Sequence, residues 1–554
     1  MNYTGAFTFV LHSHLPYARM AGRWPHGEEW IHEAAVDTYL PLLSALHELA
    51  AEGVPYRLTI GMTPVLAEQL ADGDVLRNLD DYLDDLRQRA ERDIARFERA
   101  GEDQRAHAAR FFRDRFAWLQ DQYRVRFGRD LIGGFRWLQD RGFVELAASA
   151  ATHGYLPLFE RDSSIHAQVA TGVRSYRRHF GRAPESFWLP ECAYRSATAG
   201  RPGLEAYLAE EGLTTFFVET HTILGGDPVG KAAGDAVGPY GDVVKRYTVP
   251  RPEPAASVQR TTFQPYWVHE PRVAAIGRNL ATGLQVWSAD HGYPGDFWYR
   301  EFHKKDGESG LHYWRVSGPR VGLGDKALYH PGQAFDRVHE HAAHFVGLVE
   351  DQVRQYAASS GKYGLVSAAY DTELFGHWWF EGVSWLQEVL RRLAASETVA
   401  LTGAAQFVRE HPPEDVVELP EGSWGQQGTH FTWLNADTQW MWPLINGAQR
   451  RIEEIVARHG VSGPREALAQ LGRELLLLES SDWPFLVTTG QARQYAELRF
   501  SQHLERFHQL AGQIEAGAVD GAFVADLAER DKLFPDIDVR DFAERQGAAA
   551  TAAR

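Results

Sequence analysis

The sequence predicts an α/β fold organised around a closed or nearly closed parallel barrel. Short apolar runs alternate with helix-like segments, the pattern of a parallel sheet. Each run is nearly continuous in apolar residues, as expected of strands covered on both faces. Polar and aromatic clusters follow the runs directly, where barrels of this kind gather their functional residues. In chain order the runs are Phe7 to His12, Arg57 to Gly61, Val144 to Ser149, Ser186 to Pro190, Thr214 to Glu219, Leu284 to Ser288, Gly364 to Ala369 and Thr398 to Gly403. The clusters are His12-Ser13-His14, Gly61-Met62-Thr63-Pro64, His153-Gly154-Tyr155, Pro190-Glu191 and Tyr370-Asp371.

At 554 residues the chain exceeds what one hydrophobic core usually serves. Between about residues 75 and 135 the pattern becomes charged and Leu/Ala/Arg-rich with apolar positions at helical spacing, which predicts a helical insert. Beyond Pro412-Pro413 it is helical again, clearest over Gln449 to His459, Arg465 to Leu478 and Gln491 to Ile514. The predicted division is a barrel domain over 1–410 with that insert, a C-terminal helical domain over 411–541 and a flexible tail over 542–554, of which Gly547 to Arg554 is alanine-rich. The Gly- and Pro-rich stretch from Gly225 to Pro254 lacks periodicity and reads as a lid or a disordered segment.

The charge balance, 57 basic against 74 acidic residues for a net of −17, argues against nucleic acid and anionic membranes as partners. Cys192 is the only cysteine, so no intrachain disulfide forms, which is compatible with a cytoplasmic protein. The first residues do not resemble a signal peptide, and no apolar run approaches the roughly 20 residues of a membrane helix. Aromatic residues make up 12% of the chain, with 17 Trp, many beside Gly, Pro, His or Asp. Sugar rings stack on such platforms, although cores bury the same residues.

Two places offer chemistry. Tyr370-Asp371-Thr372-Glu373-Leu374-Phe375-Gly376-His377-Trp378-Trp379 follows one strand, and Trp188-Leu189-Pro190-Glu191-Cys192-Ala193-Tyr194 follows another. Two carboxylates delivered from two strand ends into an aromatic-lined cleft are the minimal equipment for cleaving a glycosidic bond. Asp371 comes first after its strand and is taken as the chemical group, with Glu373 structural or hydrogen-bonded to His377. His12 and His14 fall on one face if their strand continues, as half of a metal site or as donors to sugar hydroxyls. His339, Glu340, His341 and His344 fail the HExxH spacing and read as a solvated helix face. Cys192 reads as a small buried residue. Trp424, Trp433, Trp440 and Trp442 at the start of the C-terminal unit divide between domain packing and, for Trp424, a stacking surface at the cleft mouth.

Together the ordered motifs resemble glycoside hydrolase family 57, and within it the members that branch 1,4-α-glucans: His12 to Tyr17, Gly61 to Pro64, Ala151 to Leu158, Trp188 to Glu191 and Tyr370 to Trp378. The resemblance runs from near the N-terminus to about residue 515. It implies a (β/α)7 barrel with an inserted helical subdomain and a helical C-terminal domain. By motif position Glu191 would be the nucleophile and Asp371 the acid/base. His12, His14, His153 and His377 would face substrate, with Trp24, Trp287, Trp424 and Trp433 as cleft aromatics and Tyr240, or its neighbour Tyr247, at the tip of a lid. The reaction it implies uses amylose or glycogen as donor and acceptor, in a cytoplasmic monomer with no metal and no organic cofactor. A hydrolase or 4-α-glucanotransferase of the same family is the runner-up. A silent glucan-binding protein and a metal-dependent deacetylase using His12 and His14 are the readings from other classes.

Overall fold

The computed structural model describes residues 3–23, 25–225, 259–269, 272–287, 292–318, 320–460 and 462–545. Ten strands form one sheet: β1 (Gly5–Ser13), β2 (Leu58–Met62), β3 (Val144–Ser149), β4 (Ser186–Trp188), β5 (Thr215–Val218), β6 (Tyr266–Val268), β7 (Val273–Gly277), β8 (Gly364–Asp371), β9 (Val399–Leu401) and β10 (Val416–Val417). The path runs β8-β1-β2-β3-β4-β5-β7, seven strands all parallel, and continues to antiparallel β6 and then β10. This is the (β/α)7 barrel, with its seam between β7 and β8. The seam is bridged where Asn279 N–H donates to Ser367 O at 2.9 Å.

Successive residues of β1 serve two different cores, as the period of two requires. Phe7 and Phe9 point outward and pack on Phe345 and Trp385, with Phe9 stacked on Phe345 at 5.9 Å. Ala6 and Val10 point inward with Ala147, Trp188, Phe217, Ala274, Ile276 and Ala369. His12 shares the inward parity at the carboxyl end of β1, and the register pairs it with Asp371 of β8. That pairing alone brings two of the sequence motifs together.

One predicted strand is a helix. Leu284 to Ser288 lies in and just beyond the helix Leu280–Trp287. Asn279 Oδ1 accepts from Thr282 N–H at 3.0 Å, a side-chain start signal, and Leu280, Leu284 and Trp287 recur at helical spacing. The missing strand is β7, which ends two residues before Asn279. Val399–Leu401 is a strand, but it pairs only with the first half of β1, while β2 takes the second half.

The insert is the antiparallel pair Gly73–Ala100 and Asp103–Asp121. Asp72 caps the first helix by accepting from Asp74 and Val75 N–H, and Gly101, at φ 70°, ends it in the left-handed conformation glycine favours. The chain after β10 supplies helices Met441–His459, Arg465–Leu478, Asp482–Thr489, Arg493–Glu515 and Gly521–Arg530. They dock on the loop after β1. Arg19, almost fully buried, pairs with Asp72, Asp74 and Glu529, and Tyr17 OH donates to Arg530 O at 3.0 Å. Among the described residues no helix is long and apolar enough to cross a membrane.

Candidate active site

Glu191 sits in the short turn that ends β4. Pro190 stops the strand, and Glu191 adopts φ 61° and ψ 26°, followed by Cys192 at φ 47°. Two consecutive non-glycine residues in the left-handed region cost on the order of 1–3 kcal/mol each, and such strain persists where the surroundings enforce it. Trp424 does much of the enforcing. Its backbone N–H donates to Glu191 O at 3.0 Å and its indole N–H to Glu191 Oε2 at 2.5 Å. His153 Nδ1 lies 3.9 Å from Oε1. Burial pushes the Glu191 carboxyl up to about 8 against the pull of the Trp424 hydrogen bond, and the charges of Asp371 and Asp482 add to the rise.

Asp371 ends β8 across from His12. Burial raises its carboxyl to about 6, with Arg278 and His14 opposing. Arg278 follows β7 and donates to Glu219 Oε2 at 3.1 Å, with its guanidinium 5.7 Å from the Trp424 ring centre and 5.8 Å from that of Trp287. Burial raises both carboxyls, and the Asp371 charge adds to the rise at Glu191. Around neutral pH this pair holds about one proton.

Three histidines line the same mouth. His12 stacks on Trp188 at 4.5 Å, and its Nε2 lies 3.1 Å from His153 Nε2. His14 stacks on His153 at 3.9 Å. Burial, followed by neighbouring imidazoles, holds His12 and His153 well below the usual histidine range, so both are neutral. His14 is fixed from three sides: Nδ1 on Thr63 Oγ1 at 3.0 Å, Nε2 on Asp482 at 3.1 Å, and its backbone N–H on Glu373 Oε1 at 3.1 Å.

Glu373 is buried behind this layer and takes a hydrogen bond from Tyr39 OH; burial first, then the Asp371 charge, raises it to about 8. Tyr39 belongs to a π-helical turn, Ala35–Tyr39, of the kind that recurs at functional sites. The same turn holds His377, whose Nδ1 lies 3.2 Å from Asp37 Oδ2 and whose N–H donates to Thr38 Oγ1. Of the two alternatives for Glu373, the structural one fits these contacts, and in place of a Glu373–His377 bond each residue is anchored separately on one turn.

The tryptophans divide. Trp424 is a buried hydrogen-bond donor to Glu191 rather than a stacking surface at the cleft mouth. Trp433 is fully buried, stacked on Tyr155 at 4.2 Å, and offers no free ring face to a sugar in this structure. Trp287 is partly exposed beside Arg278. Trp24, Tyr240 and Tyr247 lie outside the described residues, as does 546–554 of the predicted tail. The solvated helix face holds for His339, Glu340 and His344, which are exposed; His341 is half-buried, and His341 and His344 also take the Tyr299 and Tyr293 hydroxyls at 2.8 and 2.7 Å.

Sequence reading missed Arg278, Tyr39, Ser481 and Asp482. Ser481 Oγ lies 3.0 Å from His153 Nδ1, and Asp482 reaches His14 across the domain boundary. The signal was present in Ser480-Ser481-Asp482-Trp483-Pro484, an acid among aromatics and proline like the one at Glu191. One group of described side chains has metal-site spacing, Glu474, His503 and Asp531, all buried and within 4.8 Å of one another. Its donors are already used. His503 Nδ1 lies 2.9 Å from Glu474 Oε2, its Nε2 accepts from Arg499 at 2.9 Å, and Arg506 holds Asp531 at 2.7 Å. Burial and the neighbouring Asp531 keep Glu474 well above the usual carboxylate range, so a proton and two guanidiniums do there what a cation would.

A parallel seven-stranded barrel with two half-buried carboxylates at the carboxyl ends of two of its strands, β4 and β8, backed by histidines and tryptophans, is the apparatus of a glycoside-processing enzyme. The glycosyl hydrolase family 57 model matches residues 8–420, and the model for the C-terminal region of 1,4-alpha-glucan branching enzymes matches residues 445–542. The chain belongs to glycosyl hydrolase family 57. It is 44% identical to a 1,4-alpha-glucan branching enzyme of Thermococcus kodakarensis over 96% of this chain and 77% of that one. The crystal structure of a family 57 branching enzyme from Pyrococcus horikoshii superposes with a TM-score of 0.87 at 40% identity, covering 98% of both chains. An alpha-amylase from Thermotoga maritima gives 0.82 at 28% identity, covering 98% of this chain and 99% of that one.

Proposed function

We propose that this chain is a retaining 1,4-α-glucan branching enzyme, in which Glu191 is the nucleophile and Asp371 the acid/base. The observation that carries the residue roles is the placing of Glu191 and Asp371 at the carboxyl ends of strands of one barrel, close enough that the Asp371 charge raises the Glu191 carboxyl. The identity of the glucan rests on likeness to the named branching enzymes across nearly the whole chain.

Asp371 donates its proton to the leaving oxygen of an α-1,4 link while a Glu191 oxygen attacks the anomeric carbon. Retention of configuration then requires the two carboxyls about 5–5.5 Å apart in the reacting complex. In the free site the pair's proton rests more firmly on Glu191 than on Asp371, the reverse of the reacting arrangement. Substrate moves it. A glucan oxygen against Asp371 favours its acid form, and positive charge growing at the anomeric carbon favours ionised Glu191, already hydrogen-bonded by the Trp424 indole. In the second half Asp371 takes the proton of an acceptor 6-hydroxyl, and the acceptor oxygen displaces Glu191. Of the three histidines only His12 has a ring nitrogen, Nδ1, without a hydrogen-bond partner in the described structure, and it is the one proposed to meet a sugar hydroxyl; His14 and His153, bonded at both ring nitrogens, flank the sugar and hold His12 in place. Trp287 is the partly exposed cleft aromatic, and Trp24 and Tyr240 keep their proposed places from the sequence. Trp433 supports Tyr155 instead of touching sugar.

The division into 1–410 and 411–541 belongs to the same proposal, supported by the gap between the two matched regions at 420 and 445. So do a cytoplasmic location and a monomeric state, for which the lone buried cysteine and the acidic net charge are the support. The rival is α-glucan hydrolysis with the same carboxylates, favoured by the Thermotoga maritima likeness. Incubation with amylose separates them. New α-1,6 anomeric protons exceeding new reducing ends are expected; reducing ends without α-1,6 links would refute branching.

A further inference from the structure

The stretch that begins at the reaction centre ends on the surface in an apolar shelf. Trp424 holds Glu191; nine residues on, Trp433 O accepts both Thr438 Oγ1 and the Trp442 indole N–H at 3.0 Å. Trp440, between them, is turned outward. It is 40% exposed, yet its ring is fixed, because its indole N–H donates to Asp437 O at 3.0 Å and its plane meets buried Phe500 edge-on at 5.3 Å.

Trp440 starts an exposed stripe along the helix Met441–His459. Pro443 and Leu444 lie one turn on and are exposed, Leu444 by 36%. Gly447, a further turn on, faces open space: a Cβ there would have no neighbour within 4 Å. Positions 440, 443, 444 and 447 share one helix face. The stripe is thus exposed and apolar at Trp440, Pro443 and Leu444. At its edge Asp437 and Arg493 pair at 3.4 Å, and Gln439 is exposed. A rigid indole with a polar margin fits a pyranose, which presents apolar C–H faces and hydroxyl edges. The paired charges at the margin cancel, which favours a neutral ligand over a charged partner.

We propose that Trp440, Pro443 and Leu444 form an accessory platform for an α-1,4-glucan chain running out of the cleft, distinct from the reaction centre. The inference rests on the branching-enzyme reading, since it takes its ligand from it. A long glucan extends beyond the cleft, and the segment whose Trp424 holds the nucleophile also carries this exposed, fixed indole.

The test measures retardation in native gels containing amylose, and kinetics on amylose beside cleavage of a chromogenic maltooligoside too short to leave the cleft. Trp440→Ala and, independently, Leu444→Glu should weaken amylose binding and raise its KM about tenfold. Turnover of the short substrate should stay within twofold, and Trp440→Phe should restore most of the affinity. Leu444→Glu adds charge at an exposed site and keeps the test open if Trp440→Ala fails to fold. Unchanged amylose affinity in Leu444→Glu or a folded Trp440→Ala overturns the platform. A parallel loss on both substrates overturns it too, since Trp440 would then act through Trp433 packing. A dimer dissociated by Leu444→Glu would make the shelf a contact between copies and refute the glucan assignment. If the wild type binds and cleaves amylose but forms no α-1,6 links, the branching reading fails while the platform is still decided by the variants.

Discussion

Glu191 is held in an unfavourable backbone conformation by a tryptophan that bonds both its carbonyl and its carboxylate. Trp424→Phe keeps an aromatic ring at the site and loses the indole's second ring with its N–H, and with it one charge-assisted hydrogen bond worth about 1.5–3 kcal/mol, so kcat should fall roughly 10- to 100-fold with little change in KM. An unchanged kcat would show that the bond does not stabilise the reacting anion. The pair's titration gives a second expectation at this scale. With Asp371 near 6 and Glu191 near 8, the singly protonated pair dominates between those values. Below about 6 both carboxyls are protonated and the nucleophile is lost; above about 8 both are ionised and the acid is lost. A bell-shaped kcat/KM profile peaking near neutral pH is expected, and a plateau persisting well above pH 8 would mean that a different group supplies the proton.

The π-helical turn Ala35–Tyr39 is the element that holds the loop directly after Asp371. It bonds Glu373 through Tyr39 and His377 through Asp37 and Thr38, and it approaches so closely that Gly376 has no room for a side chain. A Cβ at Gly376 would lie 1.9 Å from Asp37 O, and its φ of 107° is one that other residues avoid. Gly376→Ala should therefore push the loop off the turn and cost at least 100-fold in activity. Circular dichroism would report a native fold with a lowered melting temperature; wild-type activity would show that the turn does not position Asp371. Elements of this kind were only half legible in sequence. Runs such as Gly364 to Ala369 announce themselves because burial on both faces demands unbroken apolar residues, and their ends flagged Glu191 and Asp371. The π turn has no such signature, because Ala35 to Tyr39 reads as ordinary helix. Leu284 was misplaced into a strand because a short apolar run fits both periods, and Asn279 as a cap decides it only once β7 is known.

At the scale of the whole molecule, the C-terminal helices complete the site as well as supporting the barrel. Ser481 and Asp482 reach His153 and His14 from across the chain, a contact no local pattern could reveal since it depends on how two layers dock. Beside them, Glu479 is buried where Gln168 of the barrel layer and Gln449 of the C-terminal layer each donate to it at 2.9 Å. Burial raises its carboxyl from the usual 4.5 to about 7, so the native state retains a proton that the unfolded chain releases. Its contribution is full below about 4.5 and is lost as pH rises through about 7. Glu479→Gln should thus gain stability relative to wild type by about 2–3 kcal/mol between pH 5 and 8 in denaturant titrations. Parallel curves for the two proteins would contradict the buried proton. The central claim is that Glu191 carries the transferred glucan as a covalent ester. The most direct measurement is mass spectrometry of Asp371→Asn after incubation with an α-glucosyl fluoride, whose leaving group needs no acid. A glucosyl adduct on the peptide containing Glu191, absent in Glu191→Gln, is the predicted result; an adduct on Glu373, or turnover with inverted product and no adduct, would contradict it.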